Sequence, residues 1–105
     1  MELYDLTIED AHQQLIAGDV TAVALTQAIL DRIAAVEPQI EAYITLDAEG
    51  ALAQAAAADR RIADGDATPL TGIPLGIKDV VCTQGLRTTC GSRLLENFIP
   101  PYNAT

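Results

Sequence analysis

The chain has 105 residues, half of them hydrophobic, which argues against disorder and suits one small domain burying roughly two-thirds of its unfolded surface. Fifteen acidic against six basic side chains leave a net charge of −9. The six cations are dispersed, which excludes the clustered Lys and Arg surface that direct nucleic-acid binding needs.

Thr7 precedes Ile8-Glu9-Asp10 in an approximate capping box that predicts a helix start. Ile8, Ala11, Leu15 and Ile16 follow at helical spacing, and Gly18 supplies the stop. Thr21 caps a second helix that carries Leu25, Ala28, Ile29, Ile33 and Val36 on one face and is closed by Pro38. Residues 1–38 therefore read as a helical arm, and residues 39–105 as the start of an α/β core.

From Ile40 to Leu46 the pattern alternates and predicts a strand. Asp47 then caps a third helix that runs through the alanine stretch to Ile62-Ala63 and stops at Gly65. That stretch reads as a smooth face for close packing. Leu70 to Val81 carries a second strand signal. Polar small residues follow, then a short helical piece around Leu94-Leu95-Glu96 and an extended Phe98-Ile99-Pro100-Pro101. The expected fold is α/β: two helices, then strand, helix, strand and an irregular segment. The chain ends at Thr105 as though cut rather than finished.

No apolar run approaches the ~20 residues that span a bilayer, and the N-terminus lacks a signal peptide's basic start, so a cytoplasmic location is expected. Cys82 and Cys90 lack zinc-site spacing and read as small buried or half-buried residues. His12 has no metal-binding or acidic partner at useful spacing and reads as solvated or satisfied. No glycine-rich phosphate loop precedes a helix, so no cofactor or metal site is expected in this chain.

Lys78 is the informative residue. It sits in the run Gly72-Ile73-Pro74-Leu75-Gly76-Ile77-Lys78-Asp79-Val80-Val81. By pattern alone it reads as a strand-edge lysine reaching its ammonium to water. The other reading is a catalytic base, whose amine accepts protons at neutral pH because apolar neighbours disfavour the charged form. Leu75, Ile77, Val80 and Val81 are those neighbours. Asp79, one residue on along a strand, is expected to face away from Lys78 and bind backbone or solvent.

TGIPLGIKDVV (Thr71 to Val81), TTCGS (Thr88 to Ser92) and NFIPPYNAT (Asn97 to Thr105) resemble the amidase signature family, and LIAGDVTAVALTQAILDRI (Leu15 to Ile33) is similar to its N-terminal helices. Within the family the likeness is greatest to members that release ammonia from glutamine for tRNA-dependent amidation. The resemblance covers essentially the whole chain but only the N-terminal part of the family's fold, a mixed sheet covered by helices.

The resemblance implies that Lys78 is the base of a Ser–cis-Ser–Lys triad, in which a bridging serine links the amine to the nucleophilic serine. It also implies glutamine as substrate, further amidotransferase subunits (a heterotrimer) as partners, and ATP with Mg2+ on a different subunit. The departure is equally informative. Ser92 is the one serine here, and it stands in the TT-x-GS element rather than at the nucleophile position, reading as a loop or helix cap. The family's Gly/Ser-rich stretch, which supplies both triad serines, is absent from these residues. The chain alone is therefore expected to hydrolyse nothing. Three other readings stay open: a piece of another amide hydrolase of the family, a split subunit that pairs with a separate remainder, and a non-catalytic module that docks through its amphipathic helices.

Overall fold

In a computed structural model, described for residues 2–105, the chain forms three α-helices: α1 (Ile8–Ala17), α2 (Ala22–Ile40) and α3 (Ala48–Ala63). Short 3-10 turns occupy Leu3–Asp5 and Arg93–Leu95. The chain divides into two compact units. One takes the residues up to Ile40 together with Ala48–Pro74, and the other takes Glu41–Asp47 with Leu75–Thr105. No helix among the described residues is long and apolar enough to cross a membrane.

The helical unit follows its local signals. Thr7 Oγ1 accepts a hydrogen bond from the Asp10 amide at 3.1 Å, and Gly18, at φ 81°, ends α1 in the left-handed conformation. Thr21 Oγ1 takes the Ala24 amide at 3.0 Å. Ala11, Leu15, Ala22, Leu25 and Ala55 form the buried core, with Ile29, Ala58, Ile62 and Ile73 packed against it. Small residues on α2 and α3 make that core tight. A Cβ on Gly72, whose φ is 87°, would meet Leu15 Cδ1 at 3.1 Å and Ala22 Cβ at 3.2 Å.

A contact invisible to helix periodicity ties α3 to the start of α2. The Ala22 amide donates to Asp59 Oδ1 at 2.7 Å and the Val23 amide to Asp59 Oδ2 at 3.1 Å. A carboxylate thus satisfies two orphan donors at the end of the helix that carries partial positive charge.

Two expectations about helices and side chains need correction. Pro38 does not close α2: it lies inside the last turn, where its missing N–H removes one hydrogen bond, and the helix runs on to Ile40. The stop is Glu41, a non-glycine residue at φ 53°. His12 is half-buried, and its Nδ1 is buried with no hydrogen-bond partner among the described residues, so that nitrogen is neither solvated nor satisfied.

The larger correction concerns the sheet. The segments expected as strands, Ile40–Leu46 and Leu70–Val81, form no strand among the described residues, so the strand–helix–strand reading is not met. A strand exists only with a ladder partner, and the pairing found among the described residues is an isolated bridge between Thr83 and Leu86. The alternation is present in the side chains, yet Tyr43, Ile44, Leu46, Leu75 and Ile77 are exposed instead of packed on a face.

Asp59→Ala should destabilise the helical unit by about 1 kcal/mol through loss of the cap. Gly72→Ala should cost about 1–3 kcal/mol, from backbone strain and overpacking against Leu15. Urea denaturation followed by helical circular dichroism checks both, and unchanged midpoints would contradict them.

Candidate functional site

The second unit is held by polar contacts rather than by an apolar core. Thr88, Thr89 and Pro100 are its buried residues. Backbone hydrogen bonds join its distant segments: the Thr88 amide donates to the Phe98 carbonyl at 3.0 Å, Gly85 to Pro100 at 3.1 Å, and Ala104 to Cys82 at 2.7 Å.

Arg87 fastens three segments with one rigid fork of donors. Its Nε donates to Thr45 Oγ1 at 3.0 Å, Nη2 to the Ile44 carbonyl at 3.1 Å, and Nη1 to the Glu96 carbonyl at 2.8 Å. Composition showed only a dispersed cation here. Its role depends on contacts 42 and 43 residues apart, which no local pattern encodes.

These segments enclose an open concavity of about 530 Å³, and Lys78, Asp79, Cys90 and Gly91 lie on its wall beside Tyr43 and Arg87. Lys78 is exposed, on irregular backbone rather than a strand. Leu75, Ile77, Val80 and Val81, the residues expected to desolvate it, are 63, 50, 52 and 43% exposed. The greasy enclosure foreseen around the amine is therefore not closed by these residues. Its ammonium makes no ion pair among the described residues, where the bridge present is Arg61 to Asp66 on the helical unit.

Asp79 does bind backbone, as expected, though through a turn rather than strand alternation. Its carboxylate accepts the Thr89 amide at 2.9 Å, the Thr89 hydroxyl, and the Gly91 amide at 3.3 Å. Its own carbonyl accepts the Cys90 amide at 2.9 Å. The Thr89 hydroxyl first and then the Thr89 amide hold the Asp79 carboxyl below its ordinary value of 3.8; desolvation opposes them, and the Gly91 amide and the Arg87 charge add smaller downward pulls.

The remaining candidates fall into structural roles. Ser92 Oγ accepts the Leu94 amide at 3.2 Å and so caps the 3-10 turn, as a Gly-Ser step suggests. Thr88 Oγ1 donates to the Leu86 carbonyl at 3.1 Å, ordinary turn chemistry. Cys82 is half-buried, as expected, but Cys90, in a left-handed conformation at φ 53°, is exposed. Both thiols are free. No group of three or more His, Cys, Asp or Glu among the described residues is placed to hold a metal.

A family model described as Amidase matches residues 24–105. Over 98% of its length the chain is 62% identical to the glutamyl-tRNA(Gln) amidotransferase A-subunit of Roseiflexus sp. (strain RS-1). Over its whole length it is 58% identical to the protein of the same name from Geobacter sp. (strain M21), and 56% identical to that of Geotalea daltonii. It spans 21–22% of the length of these relatives.

Because the Asp79 carboxyl is shifted down, its contribution to the 79–91 turn is complete above the ordinary value of 3.8 and is lost as pH falls through the lower folded value. The Thr89 and Gly91 amide proton resonances should therefore titrate below 3.8. A titration at or above that value would contradict the three-donor carboxylate.

Proposed function

The chain belongs to the Amidase family, and on that footing we propose that it is the N-terminal portion of the glutamine-hydrolysing subunit of a glutamyl-tRNA(Gln) amidotransferase. The observation that carries this reading is 55–62% identity, along all or nearly all of the chain, to relatives that bear that subunit's name. The same name across those relatives favours this over another amide hydrolase of the family.

Lys78 is the base. A serine hydroxyl from the rest of the protein attacks the amide carbon of glutamine and passes its proton, through a bridging serine, to the Lys78 amine. The proton returns to the departing nitrogen as ammonia leaves, and water then releases glutamate from the acyl ester. The rest of the protein also covers Leu75, Ile77, Val80 and Val81. That burial disfavours the ammonium form of Lys78 and pairs the two irregular segments into strands of a mixed α/β sheet. Activation of the glutamyl end by ATP and Mg2+ belongs to another subunit of a cytoplasmic heterotrimer, which also meets the tRNA. The exposed apolar residues around Lys78 and its ammonium, which makes no ion pair among the described residues, support a site completed from outside these 105 residues.

The test is a chimera in which this chain replaces the matching stretch of the Roseiflexus relative, co-expressed with that relative's partner subunits. Ammonia release from glutamine should fall by a factor on the order of 10³ or more on Lys78→Ala. The 105 residues alone should release none. A chimera that keeps its glutaminase without Lys78 would overturn the assignment and favour a non-catalytic helical module.

A further inference from the structure

We infer that Asp79 and Thr89 form a clasp that positions Lys78, a role that rests on the proposed function of that lysine. Four hydrogen bonds converge on residue 79. Its carboxylate takes the Thr89 amide, the Thr89 hydroxyl and the Gly91 amide, and its carbonyl takes the Cys90 amide. Immediately before it, the Lys78 carbonyl accepts the Val81 amide at 3.0 Å. The backbone that carries Lys78 is thus held on both sides, while its ammonium stays free of ion pairs among the described residues.

The donor loop is shaped for this task. Cys90 and Gly91 are both left-handed, at φ 53° and 69°. A non-glycine residue holds such a conformation only where its surroundings over-determine it. Here the turn brings the Thr89 and Gly91 amides onto one carboxylate, and the Gly91 amide also donates to Thr89 Oγ1 at 3.1 Å. The buried Thr89 side chain, 3% exposed, anchors the loop from inside.

Two consequences follow for Lys78. The clasp sets the direction in which the lysine leaves the backbone toward the concavity it shares with Asp79, Cys90 and Gly91. It also consumes the carboxylate nearest in sequence to the amine. Left free, that carboxylate would draw in the ammonium and hold it in the form that cannot accept a proton. Asp79 touches no reacting atom in this scheme. It acts through Lys78 and is a positioning residue.

The same chimera tests the clasp, with kcat normalised to the concentration of titratable active-site serine so that lost folding does not count. Thr89→Ser keeps the hydroxyl donor and should leave kcat within about twofold, whereas Thr89→Val should lower it on the order of tenfold to a hundredfold with little change in KM. Asp79→Asn, which removes the charge and part of the acceptor set, should lower kcat at least as far. If Thr89→Val and Asp79→Asn retain the parent's normalised kcat while Lys78→Ala abolishes activity, the clasp is overturned and the lysine's role stands. If Lys78→Ala is active, the lysine's role falls and the clasp with it.

Discussion

Three hydrogen-bond donors on one carboxylate decide how the second, polar unit of this chain is built. Asp79 has no apolar core to lean on, since the residues around it in sequence are exposed. What fixes it is a loop whose backbone turns left-handed at two successive positions to aim its amides inward. Hydrogen bonds to an ionised acceptor are stronger than neutral ones, which suits a small unit that must hold shape without much buried area. Arg87 does the complementary work with a cation, joining the segments that contain Ile44, Thr45 and Glu96. Both side chains lie on the wall of the concavity around Lys78.

The helical unit rests on a different balance of forces. Its core is mostly alanine and leucine, with glycine at the closest approach, so helices meet at short range and little volume is wasted. Such a core has few large side chains to set register. Asp59 supplies some of what is lacking, because a carboxylate seated on two helix-end amides tolerates little sliding between α2 and α3.

Local chemistry was legible where a signal and its consequence lie within a turn of each other. Thr7, Gly18, Thr21 and Ser92 perform the caps their positions suggest, because a cap needs only its own neighbours. Strands at Ile40–Leu46 and Leu70–Val81 were not, because side-chain alternation describes a face and says nothing of the partner that makes a ladder. Pro38 misled for a related reason: a proline in the final turn costs one hydrogen bond, too little to end a helix that Glu41 can terminate instead. At the site, family motifs singled out Lys78, but its exposure could not be read from apolar neighbours that are themselves uncovered. Asp59 and Arg87 went unnoticed because Asp59's partners Ala22 and Val23, and Arg87's partners Ile44 and Thr45, lie more than thirty residues away.

The claim that most needs a direct answer is that Asp79 is engaged by the loop and not by its neighbour. A crystal structure of the chimera at neutral pH would give it. The expected result is the Asp79 carboxylate within hydrogen-bond reach of the Thr89 and Gly91 amides, with the Lys78 amine directed into the concavity. An ion pair between Asp79 and Lys78, with the 89–91 loop turned away, would contradict the account.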